Sequence, residues 1–251
     1  MRELSGGVRV LVESDGEPIR EGTRTYRVLI SSRTGAQHLA HSLSEYSPGR
    51  SLVRVNPVGE EVLYVVSGRG VVTIGACDYE IEPDAGVFIP PRSEYSVQNR
   101  GAEKLLVVSV ISPEDDLSHV VTQPVQAPRP GRKLPWRVVR EQERPIQGMR
   151  DREFRVLVNQ EMGCQNVTQF VGLIPPGSDE MHAHPYELAL YILDGSGIVH
   201  SETDSSQFFR GTSIHIPAGV NHYLENPLKT AVRLLGVFYP SGSPAARYHR
   251  R

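Results

Sequence analysis

The chain repeats itself, and that constrains its fold more than any other feature. The segment YRVLI at 26–30 returns as FRVLV at 154–158, and Pro48-Gly49 returns as Pro176-Gly177, both after 128 positions. Further on, YVVSGRG at 64–70 matches YILDGSG at 191–197, FIPP at 88–91 matches HIPA at 215–218, and Asn99 matches Asn226, now after 127. Loss of one residue between the two blocks accounts for the change, so the 251 residues hold a duplicated domain. Each copy is rich in short runs of Val, Ile, Leu, Tyr and Phe bounded by Gly and Pro, as in GVVTIG, LALYILDG and SIHIPAG. Such runs predict strands. No long segment places apolar residues at helical spacing, which excludes the alternating strand and helix pattern of an α/β enzyme. The fold class expected is all-β, as two tandem antiparallel barrels.

The copies are expected at 1–112 and 151–251. Between them, 113–150 holds Pro124, Pro128, Pro130, Pro135 and Pro145, a composition that favours an extended connection over packed sheet. It reads as a linker, with Trp136 docking on a barrel. A net charge of -2 with scattered Lys, Arg, Asp and Glu offers no basic stripe for nucleic acid and no polybasic patch for lipid. The partner class left is a small molecule. MRELSGGVRV lacks the apolar core of a secretory signal, and no apolar run reaches spanning length, so a cytoplasmic location is expected. Cys77 and Cys164 are too few for a disulfide framework and read as small core residues.

The second copy carries Gly211, Pro217, Gly219, His222 and Asn226 in the pattern G-x5-P-x-G-x2-H-x3-N, and upstream His182-Ala183-His184 precedes Gly195. These two motifs resemble those of the cupin superfamily, over roughly 25–240 of this chain. The resemblance implies a bicupin: two antiparallel jelly-roll barrels, commonly a homodimer paired through sheet edges. Residue chemistry agrees. Side chains alternate faces along a strand, so His182 and His184 point to one side, and a turn at Pro217 and Gly219 brings His222 toward them. Neutral imidazole suits Fe, Mn, Zn, Ni or Cu, and three protein ligands leave positions open for water or substrate. One divalent metal ion per chain is expected, on His182, His184 and His222. A lone histidine is more often a satisfied core residue, and His200, His215 and His249, which lack motif support, receive no role beyond His215 as a possible wall of the pocket.

Cupins usually add a Glu ligand seven residues before the glycine that closes the first motif, and here that position is Leu188. Glu187 is one place off, and a one-residue shift turns a side chain to the opposite face unless the strand is bulged. A three-histidine site is therefore favoured, with Glu187 as the minority ligand. The matching positions in the first copy hold Arg54, Asn56, Glu61 and Tyr95, so a metal is not expected there. An ion pair of Arg54 with Glu61 is one expectation for that site; solvent-facing Arg54 beside a hydrogen-bonded Glu61 is the other.

Fold does not specify reaction. Three-histidine cupins of the thiol- and diketone-dioxygenase kind look similar at the metal, which implies an enzyme acting on a small chelating substrate, with Tyr186 and Glu187 at the rim as acid or base candidates. The arrangement of a metal-free first barrel and a metal-bearing second is also similar to ureidoglycine aminohydrolase, which implies a hydrolase or isomerase, although only one of that enzyme's four ligand types is matched. A non-catalytic ligand-binding cupin is the third reading.

Overall fold

The computed structural model describes residues 1–114, 119–120, 137–149 and 152–246. Trp136 and His249, and with them most of the proline-rich stretch, lie outside the described residues. Among those described, the chain is built from antiparallel strands, and the helical pieces are single three-residue turns. Two jelly-roll barrels result, each made of two facing sheets.

In the first barrel, Glu60–Ser67 lies between Ala85–Ile89 and Leu105–Ser112, and the sheet continues through Ala40–Tyr46 and Arg24–Ile30 to Ile19–Glu21. The facing sheet is built around Gly70–Ile74 and Tyr95–Asn99. In the second, Glu187–Asp194 lies between Ser213–Ile216 and Val232–Tyr239, and the sheet continues through Thr168–Ile174 to Arg152–Val158. Tyr223–Asn226, Ser196–His200 and Ser205–Phe209 face it.

The central strands are apolar along nearly their whole length because both of their faces are covered. Val62 and Tyr64 belong to a core shared by the two barrels, whereas Leu63 and Val65 point into the first barrel. Likewise Ala189, Tyr191 and Leu193 join the shared core, and Leu188, Leu190 and Ile192 fill the second barrel. Alternation of faces thus sends odd positions of Glu187–Asp194 to the seam and even ones to the interior.

The seam is built by exchange. Arg9–Leu11 leaves the first copy and pairs with Ser213–Ile216 of the second barrel, with Val10 opposite Ile214. Val138–Arg140, drawn with the linker in the sequence, pairs with Ala85–Ile89 of the first, with Val138 opposite Val87. Val10 and Val138 are 128 positions apart, the offset of the duplication, so each copy contributes the same strand to its neighbour. Exchange of carboxylates follows the same rule. Glu187 accepts the backbone N–H of Gln37 at 2.7 Å and of His38 at 2.8 Å, while Glu60 accepts that of Gln165 at 2.9 Å and of Asn166 at 2.7 Å. Cys164 is buried in this seam as a free thiol, and Cys77 is a free, partly buried thiol in the first barrel.

Candidate metal centre

The three histidines meet inside the second barrel. His182 and His222 face each other in an isolated antiparallel bridge, N–H to carbonyl both ways at 3.1 and 2.8 Å. Gly219, at a φ of 76° that favours glycine, gives its N–H to the His184 carbonyl at 2.8 Å and turns the chain so that His222 arrives beside the other two. All three side chains are buried, with ring centroids 4.8 to 5.2 Å apart and their candidate ligand nitrogens within 4.8 Å of one another.

Their tautomers follow from their partners. Nδ1 of His182 lies 2.8 Å from the Glu180 carbonyl, that of His184 2.7 Å from the Ala246 carbonyl, and that of His222 2.9 Å from the Val220 carbonyl. A carbonyl only accepts, so each Nδ1 must donate its proton, and each Nε2 is left with a lone pair. This carbonyl support is how metal-binding imidazoles are held. The donor set therefore fits a divalent ion: three neutral imidazoles, oriented and already in the ligating tautomer.

Around them lies a cavity of about 70 Å³ with a largely apolar wall, including Phe154, Phe170, Leu188, Leu190, Leu224 and Leu234. Phe170 of that wall packs over Gly236, where an added Cβ would stand 2.3 Å from its ring. Arg152 also lines the cavity, 3.4 Å from Asp179, which in turn lies 3.6 Å from His182 Nδ1.

The structure redistributes the other candidates. Glu187 does not face the cavity. Its carboxylate is buried in the seam, where it binds the loop at Gln37 and His38 and accepts from His215 Nε2 at 2.8 Å. Burial alone would raise its pKa, but the His215 contact and the two backbone N–H groups more than offset that and hold it below the ordinary carboxylate value. Neither ligation nor acid–base work at the cavity is open to it. Leu188, the next residue, is the one that lines the cavity. Tyr186 presents its ring, not its hydroxyl. It stacks between His184 and Phe238, at 4.6 and 4.0 Å, and its O–H donates to the Pro244 carbonyl at 2.9 Å. His215, expected at most as a pocket wall, is wholly buried as the partner of Glu187. His200 sits elsewhere, stacked on Tyr223 and 2.8 Å from Glu225.

In the first barrel the Arg54–Glu61 pair does not form. Arg54 reaches Glu21 at 2.6 Å, while Glu61 accepts from Asn56 Nδ2 at 2.7 Å and from the Ser109 hydroxyl. Ser109 is the counterpart of Gly236, and its hydroxyl supplies the donor that leaves Glu61 no need of a guanidinium.

Arg152, Asp179 and the Glu187–His215 contact were not singled out from the sequence. A signal existed for two of them, since Arg24 recurs as Arg152 and Glu60 as Glu187 at the offsets of the duplication.

Comparison with known proteins agrees with this fold. The curated relatives match about half of the chain: TcmJ, a tetracenomycin polyketide synthase protein of Streptomyces glaucescens, is 26% identical over 129 residues, 50% of this chain and 87% of its own length. The polyketide synthase protein CurC of Streptomyces cyaneus is 30% identical over 120 residues, 46% of this chain and 78% of its own. Among solved structures, a mutant of the Bacillus subtilis oxalate decarboxylase OxdC superposes with a TM-score of 0.77 at 14% identity, covering 95% of this chain and 78% of that one. The Cupin domain family matches twice, over 42–111 and 170–238, one match in each barrel. Two jelly-roll barrels, a motif kept in both and a family match in each make the chain a two-barrel member of the cupin family.

Proposed function

We propose that the second barrel binds one divalent metal on His182, His184 and His222 and acts as an enzyme on a small organic molecule that chelates it, in a dioxygenase-like reaction. The observation that carries this reading is the set of three buried imidazoles, each with Nδ1 committed to a backbone carbonyl, which fixes the tautomer that keeps the Nε2 lone pair for ligation. When bound, such a metal supplies Lewis acidity and open positions for a chelating substrate and O2.

The chain's own residues define the rest. Leu188 stands where many cupins place an acid, so at that position no carboxylate joins the three histidines to compete with substrate. Phe154, Phe170, Leu190, Leu224 and Leu234 exclude water and suit an apolar body behind a chelating head. Tyr186, stacked on His184 and tied to Pro244, fixes the imidazole plane. Arg152 offers a positive charge to an enolate or carboxylate at the cavity wall. A β-dicarbonyl has this combination of chelating oxygens and apolar flanks, and the polyketide synthase names of the two Streptomyces relatives are consistent with it.

The test is oxygen uptake after anaerobic loading with Fe(II), using acetylacetone as probe. Uptake that requires both metal and probe is the expected result. Metal-dependent turnover of the probe without oxygen uptake would replace the dioxygenase reading by a hydrolytic or isomerising one. Saturable binding with no turnover would leave a binding protein.

A further inference from the structure

The first barrel keeps a site where the second keeps its histidines. Positions equivalent to His182, His184, Leu188 and His222 are Arg54, Asn56, Glu61 and Tyr95, and Arg24 takes the place of Arg152. Arg24, Asn56, Glu61 and Tyr95 are all buried. They share one neighbourhood: the Tyr95 phenol feels the charges of Glu61, Arg24 and Arg54, and the Tyr95 backbone lies opposite that of Arg54 in the sheet.

Three buried polar atoms there lack a hydrogen-bond partner: Arg24 Nη1, Asn56 Oδ1 and the Tyr95 hydroxyl. Arg24 holds Ser44 through Nε and Nη2, and its Nη1 comes no nearer to Glu21 than 3.7 Å. Asn56 is oriented by its amide N–H to Glu61, which only accepts, so its oxygen must face the other way. Burial drives the Tyr95 pKa well above that of a free phenol, so its hydroxyl remains a donor. Buried polar groups are normally satisfied, and three orphans in one place call for an occupant.

The pattern of unmatched donors and acceptors narrows its identity. Two guanidiniums enter this interior. One acid, Glu61, is fully buried, and its oxygens are already taken by Asn56 and Ser109. The other, Glu21, is one-fifth exposed and serves both arginines. Two acids thus match two guanidiniums in number, but neither comes within hydrogen-bond distance of Arg24 Nη1, and the interior offers two unmatched donors beside one unmatched acceptor.

We propose that the first barrel binds a small organic carboxylate, best a hydroxy acid, whose carboxylate accepts from Arg24 and Tyr95 and whose hydroxyl donates to Asn56. The site is separate from the metal centre and does not depend on it.

Titration calorimetry of the full-length protein, with metal removed by chelator, tests this with L-lactate as probe. One saturable site per chain is expected. Acetate, which lacks the hydroxyl, should bind several-fold more weakly, and lactamide, which lacks the charge, should not bind. Tyr95→Phe should weaken lactate at least about tenfold, the loss of one charge-assisted hydrogen bond, whereas His222→Ala should leave it unchanged. Should Tyr95→Phe fail to fold, Arg24→Lys, which keeps the charge and loses the planar fork, carries the same reading. No saturable heat with lactate would overturn the proposal and make ordered water the occupant. Binding abolished by His222→Ala and indifferent to Tyr95→Phe or Arg24→Lys would equally overturn it.

Discussion

Two adjacent residues, Glu187 and Leu188, divide the labour of one strand, and mutating them separates seam from site. Glu187→Ala should leave metal content as in the parent, because the carboxylate faces Gln37, His38 and His215. It should instead cost about 3 to 5 kcal/mol of stability, as expected when one partner is removed from a buried, hydrogen-bonded pair. His184→Ala should have the converse effect, abolishing metal retention measured by elemental analysis. Leu188→Glu places a carboxylate in the cavity and should slow metal loss during dialysis against a chelator. Equal metal loss in Glu187→Ala and His184→Ala would mean that the strand is bulged and the assignment of faces is wrong. His41 supplies a pH test of the seam. It is wholly buried beside Ser213, 2.9 Å from that hydroxyl, and burial pushes its pKa down to about 4. The unfolded chain protonates this residue near pH 6.5 and the folded one only near 4, so the unfolded state binds more protons in between. Stability should therefore fall as pH drops through that window, by about 3 kcal/mol for this residue. His41→Gln, which installs the residue found at 169 in the other copy, should flatten melts recorded between those limits. A slope that survives unchanged would assign the acid sensitivity to other groups, with Glu187 the first to consider, since its stabilisation too is lost on acidification.

At the level of strands, the period of the side chains was legible and their partners were not. Alternation in LALYILD placed Leu188 and Glu187 on opposite faces from the sequence alone, because that rule is local. Which body lies against each face is not local. The runs around Val62 and Ala189 are apolar on both sides because a second barrel covers the outer one, and Glu187 is buried by a loop 149 to 150 positions away. The same distance hid the exchange of strands, since Arg9–Leu11 has its partner at 213–216. The histidines were legible because their spacing is itself a motif, whereas their supporting carbonyls carry no side-chain signature. For Arg54 the expected partner was chosen by facing positions alone, and two local donors, Asn56 and Ser109, outcompeted it for Glu61. The exchanged strand makes its own prediction. Removing residues 1–12 should uncover the edge at Ser213–Ile216 and speed amide exchange there more than in Glu60–Ser67, although the deleted residues precede the first barrel. Faster exchange confined to the first barrel would show that the segment serves its own copy.

Across the whole molecule, the two halves are related as the subunits of a symmetric dimer would be. Each donates an edge strand and a carboxylate clasp to the other, at positions set by one offset. Such a chain should melt in a single transition by calorimetry, with metal loading through the second barrel raising the midpoint for both barrels together. Two transitions, only one of them shifted by metal, would show that the seam does not couple them. The exchanged strands carry a further consequence. Severing the chain anywhere in 121–136 would yield two polypeptides, each missing from its own barrel the strand that the other retains. Mixed together, they should recognise one another and restore metal retention by fragment complementation, as two halves of a split protein whose only specificity tag is its own architecture.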